Sequence, residues 1–96
     1  MPQHITNATA AWGPLTTSAV GGVLTVQMRG HGRLFVARGT ETVPPAEGAG
    51  VFFESHGVDG AAGVTLQDLD PGGSGAWLWG RFEGFGACPV WASWEG

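Results

Sequence analysis

Three histidines, His4, His31 and His56, are the side chains best suited to hold a metal ion in this 96-residue chain. Two imidazoles on one strand or one helix can approach the same metal when they lie two or four residues apart, and no pair of these histidines has that spacing. Each histidine also falls in a different predicted loop or terminal segment. We therefore expect solvated or interface histidines and no metal site.

A serine nucleophile would need a base and an orienting acid beside it. Ser55 and His56 are adjacent in the sequence, which directs their side chains to opposite faces of a strand. The stretch Gly73-Ser74-Gly75 lies in a predicted turn followed by a strand, whereas a nucleophile elbow requires a following helix. Neither stretch predicts a hydrolase.

Two carboxylates and one thiol complete the search for reactive groups. Asp68 and Asp70 are two residues apart, as a carboxylate pair on one strand face would be, but Pro71 follows them and such acids commonly stabilise turns. Cys88 lies in an apolar run, which favours a small buried side chain over a reactive thiol. The sequence therefore predicts that the protein is not an enzyme, and we expect no cofactor.

Alternating tryptophans near the C-terminus are the strongest candidates for a binding surface. On a strand, Trp77, Trp79 and Arg81 share one face, while Leu78 and Phe82 share the other. If the aliphatic row fills the core, the first row is an exposed aromatic and guanidinium stripe that could contact a protein partner or stack on sugar rings. If the tryptophans fill the core instead, Leu78 and Phe82 are exposed and a protein interface is still expected.

Three further tryptophans, Trp12, Trp91 and Trp94, bring the total to five. Each indole needs about 200 Å² of cover and a partner for its N–H group, which one small core cannot easily supply five times. We therefore expect at least two indoles at subunit contacts, with Trp91 and Trp94 among the interface or glycan-stacking candidates.

Composition restricts the partners of the chain. Charged residues make up 12% of it, against about 25% in ordinary soluble proteins, and the formal charge is −4 with no lysine present. A negative chain with four arginines is poorly suited to bind phosphate backbones, so we expect no nucleic acid partner. No apolar run is long enough for a membrane span. A surface with so few charges favours association with other chains.

The hydrophobic periodicity predicts six short strands and no extended helix. Alternation over residues 23–28 and 33–38, with two glycines between them, predicts a hairpin that reverses at residues 29–32. Residues 39–50 contain two adjacent prolines and are predicted as a long connection. The other strands are predicted over residues 51–55, 64–69, 76–82 and 88–94, with glycine-rich turns at 56–63 and 70–75.

Short strands at regular spacing indicate an all-β fold, specifically a small antiparallel β-sandwich of jelly-roll type with six to eight strands. Residues 21–96 are predicted to form this single domain. Residues 1–20 are mostly small and polar, so they are predicted to form an N-terminal arm. Trp12, Pro14 and Leu15 are its bulky side chains, and we expect them to anchor the arm on a neighbouring chain.

The order of these segments resembles a family of small virion accessory proteins from tailed phages and phage-like gene transfer agents. The segments that carry the resemblance are VQM at residues 26–28, LFVA at 34–37, PPAEGAGVFF at 44–53, VTL at 64–66 and AWLWGR at 76–81. The resemblance extends over residues 23–94 and implies a structural protein that sits on a phage head or tail.

These observations together predict an oligomeric structural protein of a phage-like particle, assembled in the bacterial cytoplasm. The favoured role is the base of a head spike or head fibre, followed by capsid decoration and then by a tail adsorption component. Its partners would be copies of itself, capsid proteins, and a fibre protein or cell-surface glycan. A free carbohydrate-binding module that uses an exposed tryptophan stripe is the alternative, and it would be a monomer.

Overall fold

A computed structural model describes residues 2–96, with the backbone alone for residues 53–62. Six antiparallel strands and one short helix follow one another along the chain. They are β1 (Gln3–Ala8), β2 (Gly13–Pro14), β3 (Leu24–Gly39), β4 (Val51–Val64), α1 (Leu66–Leu69), β5 (Trp77–Gly84) and β6 (Cys88–Trp94). The predicted all-β, antiparallel class is confirmed.

Strand β3 organises the whole sheet because it pairs with three other strands. Its residues 24–36 pair with β4. Residues 24–28 also pair with β6, and residues 32–39 pair with β5. Strands β1 and β2 then extend the sheet beyond β6 and β5 respectively. Hydrogen bonds thus join all six strands into one sheet, in which β5 and β6 occupy different halves of β3.

The core lies on a single face of this sheet. Leu24, Val26, Leu34 and Val36 are even-numbered residues of β3, and each is at most 2% exposed. They belong to one hydrophobic cluster with apolar side chains of β5 and β6, including the fully buried Trp94. Both halves of β3 therefore contribute side chains to the same hydrophobic cluster.

The hairpin predicted around residues 29–32 is not formed. Strand β3 runs through this segment without reversing. Gly30 and Gly32 lie within the strand, where side chains of neighbouring strands approach them closely. A Cβ atom on Gly30 would lie 3.0 Å from Cys88 Sγ, and one on Gly32 would lie 2.8 Å from the Phe82 ring. The two glycines therefore let buried side chains of β6 and β5 pass close to β3.

The predicted turn over residues 56–63 and the predicted strand over 64–69 are also wrong. The backbone of β4 continues to Val64 and pairs with β3 across the middle of both strands, where Gly57 lies opposite Gly30. Helix α1 then begins after Thr65, whose side chain accepts a hydrogen bond from the Asp68 N–H, while the Asp68 carboxylate accepts one from the Thr65 N–H. This capping box favours a helical turn over an extended one.

The N-terminal segment is part of the sheet. Strand β1 pairs with β6 along its whole length, and the Trp94 N–H donates to the Pro2 carbonyl at 3.0 Å. Farther along, the Leu15 N–H donates to the Leu78 carbonyl at 2.8 Å, and the Val20 N–H donates to the Ala76 carbonyl at 2.7 Å. The segment predicted as an arm is thus held by its own chain. Among the described residues, no helix is long and apolar enough to cross a membrane.

Candidate functional site

Strand β5 separates the two rows of side chains that the sequence places on it. Leu78 and Phe82 are buried in the core, at 0% and 3% exposure. Trp77, Trp79 and Arg81 therefore lie on the outer face, which is the first of the two arrangements considered. The outer face of β5 is the natural place to look for a binding surface.

Two of the five tryptophans offer no surface to a partner. Trp79 is only 8% exposed although it lies on the outer face, because the 40–50 loop covers it and its Nε1–H donates to the Thr40 carbonyl at 2.9 Å. Trp94 is wholly in the core, and its Nε1–H donates to Ser18 Oγ at 3.0 Å. Both were candidates for an interface or for glycan stacking, and burial with an internal hydrogen-bond partner removes them from that list.

A line of aromatic and guanidinium groups crosses the outer face next to Trp79. Arg81 on β5 lies opposite Phe35 on β3, which in turn lies opposite Phe52 on β4. The Arg81 guanidinium carbon is 4.0 Å from the centre of the Phe35 ring and 5.5 Å from that of the Trp12 ring. The Phe35 and Phe52 ring centres are 5.4 Å apart. We call Trp12, Arg81, Phe35 and Phe52 the aromatic–arginine row.

The positive charge of Arg81 in this row is paired with the nearby carboxylate of Glu83. Arg81 Nη1 is 3.1 Å from Glu83 Oε2, and the Arg81 side chain is 23% exposed. A second guanidinium, that of Arg33, lies over the Phe52 ring at 5.3 Å. Cation–π contacts of this kind stabilise the packing of an arginine on aromatic rings. The row is therefore held in place before any partner binds, and Phe52 at its end remains 50% exposed.

Trp77 and Trp91 are the remaining C-terminal tryptophans, and both are half-buried. Trp77 lies opposite Gly39 near the start of β5. Trp91 lies on the outer face of β6, between Ile5 of β1 and Gln27 of β3. These two indoles, unlike Trp79 and Trp94, keep part of their surface accessible.

The three bulky residues predicted to anchor an arm have separate positions. Trp12 is half-buried beneath the Arg81 guanidinium. Pro14 is exposed in β2, whereas Leu15 is 1% exposed and belongs to the core. Leu15 packs directly over Gly80, where an added Cβ atom would lie 2.7 Å from its Cδ1. Of the three, Leu15 is thus buried in the core of its own chain.

The histidines lie on strands. His4 is on β1 and His31 is on β3, and both are exposed. His56 lies opposite His31 in the register of β3 and β4, a proximity that the sequence spacing does not predict, but the side chains of Ser55 and His56 lie outside the described residues. Within the described part of the chain, no three histidine, cysteine or acidic side chains are grouped closely enough to hold a metal.

The two carboxylates and the thiol have structural partners. The hydrogen bonds that Asp68 accepts from the backbone and side chain of Thr65 favour its charged form and lower its pKa. Asp70 Oδ2 accepts a hydrogen bond from the Arg38 N–H at 3.0 Å. Cys88 is buried, as predicted, and burial raises the pKa of its thiol. A raised pKa disfavours the reactive thiolate.

A cavity of about 420 Å³ separates the 40–50 loop from the 70–75 turn, and Arg38 lies in its wall. The guanidinium of Arg38 donates from Nε to the Gly75 carbonyl at 3.0 Å and from Nη1 to the Gly73 carbonyl at 3.2 Å. These bonds hold the turn against β3. Arg38 therefore has a structural role in this wall.

Phe35 and Phe52 are the site residues that sequence reasoning missed. Phe35 is on the outward row of a predicted strand, but its contact with Arg81 depends on the pairing of strands that are far apart in sequence. An aromatic residue on the polar face of an alternating strand was the available signal.

Comparisons with models of protein families, with curated proteins and with solved structures found no match.

Proposed function

We propose that the protein is a structural subunit that associates with copies of itself on a phage or phage-like particle, as the base of a head spike or fibre or as a capsid decoration. The aromatic–arginine row carries this proposal. It forms a preassembled apolar surface with cationic groups, and its last ring is half exposed on β4. Aromatic and arginine side chains are enriched at the centres of protein interfaces.

The exposed ring at the end of the row favours burial by a partner. Phe52 is 50% exposed and its neighbour Val51 is 38% exposed. Covering apolar surface of this kind contributes about 25 cal/mol per Å². A chain with only 12% charged residues has few groups whose desolvation would oppose such contact.

The strand that carries Phe52 also supports a second copy as the partner. In the described part of the chain, β4 pairs with β3 on one edge and with no strand on its other edge. An unpaired strand edge is a template for a strand of another molecule, and identical subunits use such edges in symmetric assemblies. A neighbouring copy at this edge would bring its own side chains against Phe52.

The particle itself is proposed from the sequence resemblance over residues 23–94. The resemblance implies a structural protein, and a chain with only 12% charged residues and an apolar outer row fits a subunit that is covered by other chains. The proposal assigns no catalytic step to the protein.

Size-exclusion chromatography with light scattering tests the proposal. We expect the protein at micromolar concentration to form an oligomer, with a mass of two or more times the 9.9 kDa of one chain. Phe52→Glu places a charge in the proposed contact and is expected to yield a folded monomer. Val43→Glu is the matched control, since Val43 is 59% exposed in the 40–50 loop and lies outside the row. It should leave the mass unchanged.

Two results would overturn the proposal. One is a wild-type protein that is monomeric up to high micromolar concentration while its circular dichroism spectrum shows a folded β protein. The other is an oligomer that Phe52→Glu leaves intact, which would remove the aromatic–arginine row from the interface. Circular dichroism of each variant separates loss of association from loss of folding.

A further inference from the structure

A groove of about 490 Å³ lies on the outer face of β1, β6 and β3, on the half of β3 that does not carry the aromatic–arginine row. The described residues that line it are Ile5, Gln27, Arg29, Pro89 and Trp91. A volume of this size is within the usual range for small-molecule sites, about 300 to 1,000 Å³.

Trp91 forms the centre of this groove. It lies directly between Ile5 and Gln27 in the strand register. Its Nε1–H donates to Gln3 Oε1 at 3.2 Å, which fixes the orientation of the indole. The ring is half-buried, so its position is held by the sheet while part of its surface remains accessible. A fixed aromatic surface lets a flat apolar ligand face bind with little loss of side-chain entropy.

The polar groups around the indole are suited to hydroxyl and carboxylate groups. The amide of Gln27 offers a donor and an acceptor, which matches a pair of neighbouring hydroxyls. Arg29 is exposed, and its guanidinium offers a planar fork of donors suited to a carboxylate. Among the described residues, those that line the groove include no carboxylate that would neutralise Arg29.

We propose that this groove binds an acidic sugar residue of an anionic polysaccharide. The C–H face of a pyranose ring would pack on Trp91, its hydroxyls would bond to Gln27, and its carboxylate would bind Arg29. The Arg29 guanidinium, which no carboxylate among the described lining residues offsets, favours an acidic sugar over a neutral one. This site uses none of the residues of the aromatic–arginine row, so it does not depend on the proposed self-association.

Titration with oligosaccharides, followed by NMR of the indole ¹H–¹⁵N resonances, tests the inference. The probes are oligogalacturonate, oligomannuronate and a maltooligosaccharide of the same length as a neutral control. We expect at least one acidic probe to shift the Trp91 resonance, which is identified by its absence from the spectrum of Trp91→Phe. The maltooligosaccharide should bind more weakly than that acidic probe.

Variants then separate the contributions of the ring and the charge. Trp91→Ala should abolish binding, whereas Trp91→Phe keeps an aromatic ring and should retain part of it. Arg29→Met keeps an apolar stem and should weaken binding of the acidic probe about tenfold, the effect of losing one charge-assisted hydrogen bond. Trp77→Ala is the matched control, because Trp77 is also half-buried but lies on β5, outside the groove.

Four results would overturn the inference. The first is that neither acidic probe shifts any indole resonance. The second is that the maltooligosaccharide binds as tightly as the acidic probes. The third is that Arg29→Met leaves acidic binding unchanged, and the fourth is that Trp77→Ala weakens binding as much as Trp91→Ala does. The Trp91→Phe variant keeps the test valid if Trp91→Ala does not fold.

Discussion

Thr6 and Thr16 both place a hydroxyl group in the interior, but their surroundings differ. Thr16 is 1% exposed, and its Oγ1 accepts a hydrogen bond from the Leu78 N–H at 3.3 Å. The Oγ1 atom of Thr6 is buried and has no hydrogen-bond partner among the described residues. A buried polar atom without a partner costs free energy that a methyl group of the same shape does not.

Replacing each threonine by valine is therefore expected to have opposite effects. Thr6→Val should raise the free energy of unfolding by about 1 kcal/mol, because it removes an unpaired buried hydroxyl. Thr16→Val should lower it by about 1 to 3 kcal/mol, because it leaves the Leu78 N–H without an acceptor. Urea denaturation of both variants at one protein concentration measures the two changes. A loss of stability in Thr6→Val equal to that in Thr16→Val would contradict this account.

Single side chains also mark the limit of what the sequence could predict at the site. The alternation on β5 correctly separated Leu78 and Phe82 from Trp77, Trp79 and Arg81. It could not show that the 40–50 loop covers Trp79, because that contact joins residues 39 positions apart. Burial of a strand residue on the outer face depends on which loop passes over it, and local periodicity contains no such information.

At the scale of an element, the docking of residues 13–20 on β5 depends on one glycine. Gly80 lies opposite Gly13 in the register of β2 and β5. A Cβ atom on Gly80 would lie 2.7 Å from Leu15 Cδ1, whereas one on Gly13 would have no atom within 4 Å. The two glycines are therefore neighbours with very different space around them.

Alanine at these two positions tests that docking. Gly80→Ala should lower the free energy of unfolding by about 1 to 3 kcal/mol, the usual cost of overpacking, because Leu15 must move away from β5. Gly13→Ala is the matched control and should change stability by less than about 0.5 kcal/mol. Thermal or urea denaturation gives both values. Equal tolerance of the two alanines would show that Leu15 is not packed on Gly80.

Elements were predicted well where periodicity was regular and poorly where glycine was abundant. Strand β6 was predicted with the bounds it has, and β5 within two residues of its ends. The glycines at positions 30 and 32 suggested a reversal, yet they provide room for Cys88 and Phe82 beside a continuous strand. Glycine permits both a turn and a close approach, and only the neighbouring strands decide between them.

Helix α1 carried a local signal that the strand prediction for residues 64–69 overlooked. Thr65 and Asp68 have the spacing of a capping box, and the structure forms both of its hydrogen bonds. The pattern of Val64 and Leu66 was instead interpreted as strand alternation. The cap provides hydrogen-bond acceptors for N–H groups at the start of the helix. Leu66 and Leu69, both in the helix, are buried.

At the scale of the whole molecule, the five indoles are distributed between interior and surface. Trp79 and Trp94 are buried and form hydrogen bonds within the chain, while Trp12, Trp77 and Trp91 are half-buried. Trp94 is therefore the one indole in the described core cluster, and Trp79 is buried on the outer face of the sheet. The surfaces of the other three lie in different regions, which is why the self-association and saccharide proposals can be tested separately.

The pairing of β1 with β6 brings the two ends of the chain together, as the Pro2–Trp94 hydrogen bond shows. A circular permutant can therefore be made with a short glycine linker from residue 96 to residue 2 and new termini between the exposed Glu47 and Gly48. We expect it to fold, with the same circular dichroism spectrum of a β protein and the same five indole NMR resonances. A permuted chain that does not fold would contradict this expectation. If the permuted chain folds, the arrangement of strands does not depend on the position of the chain termini.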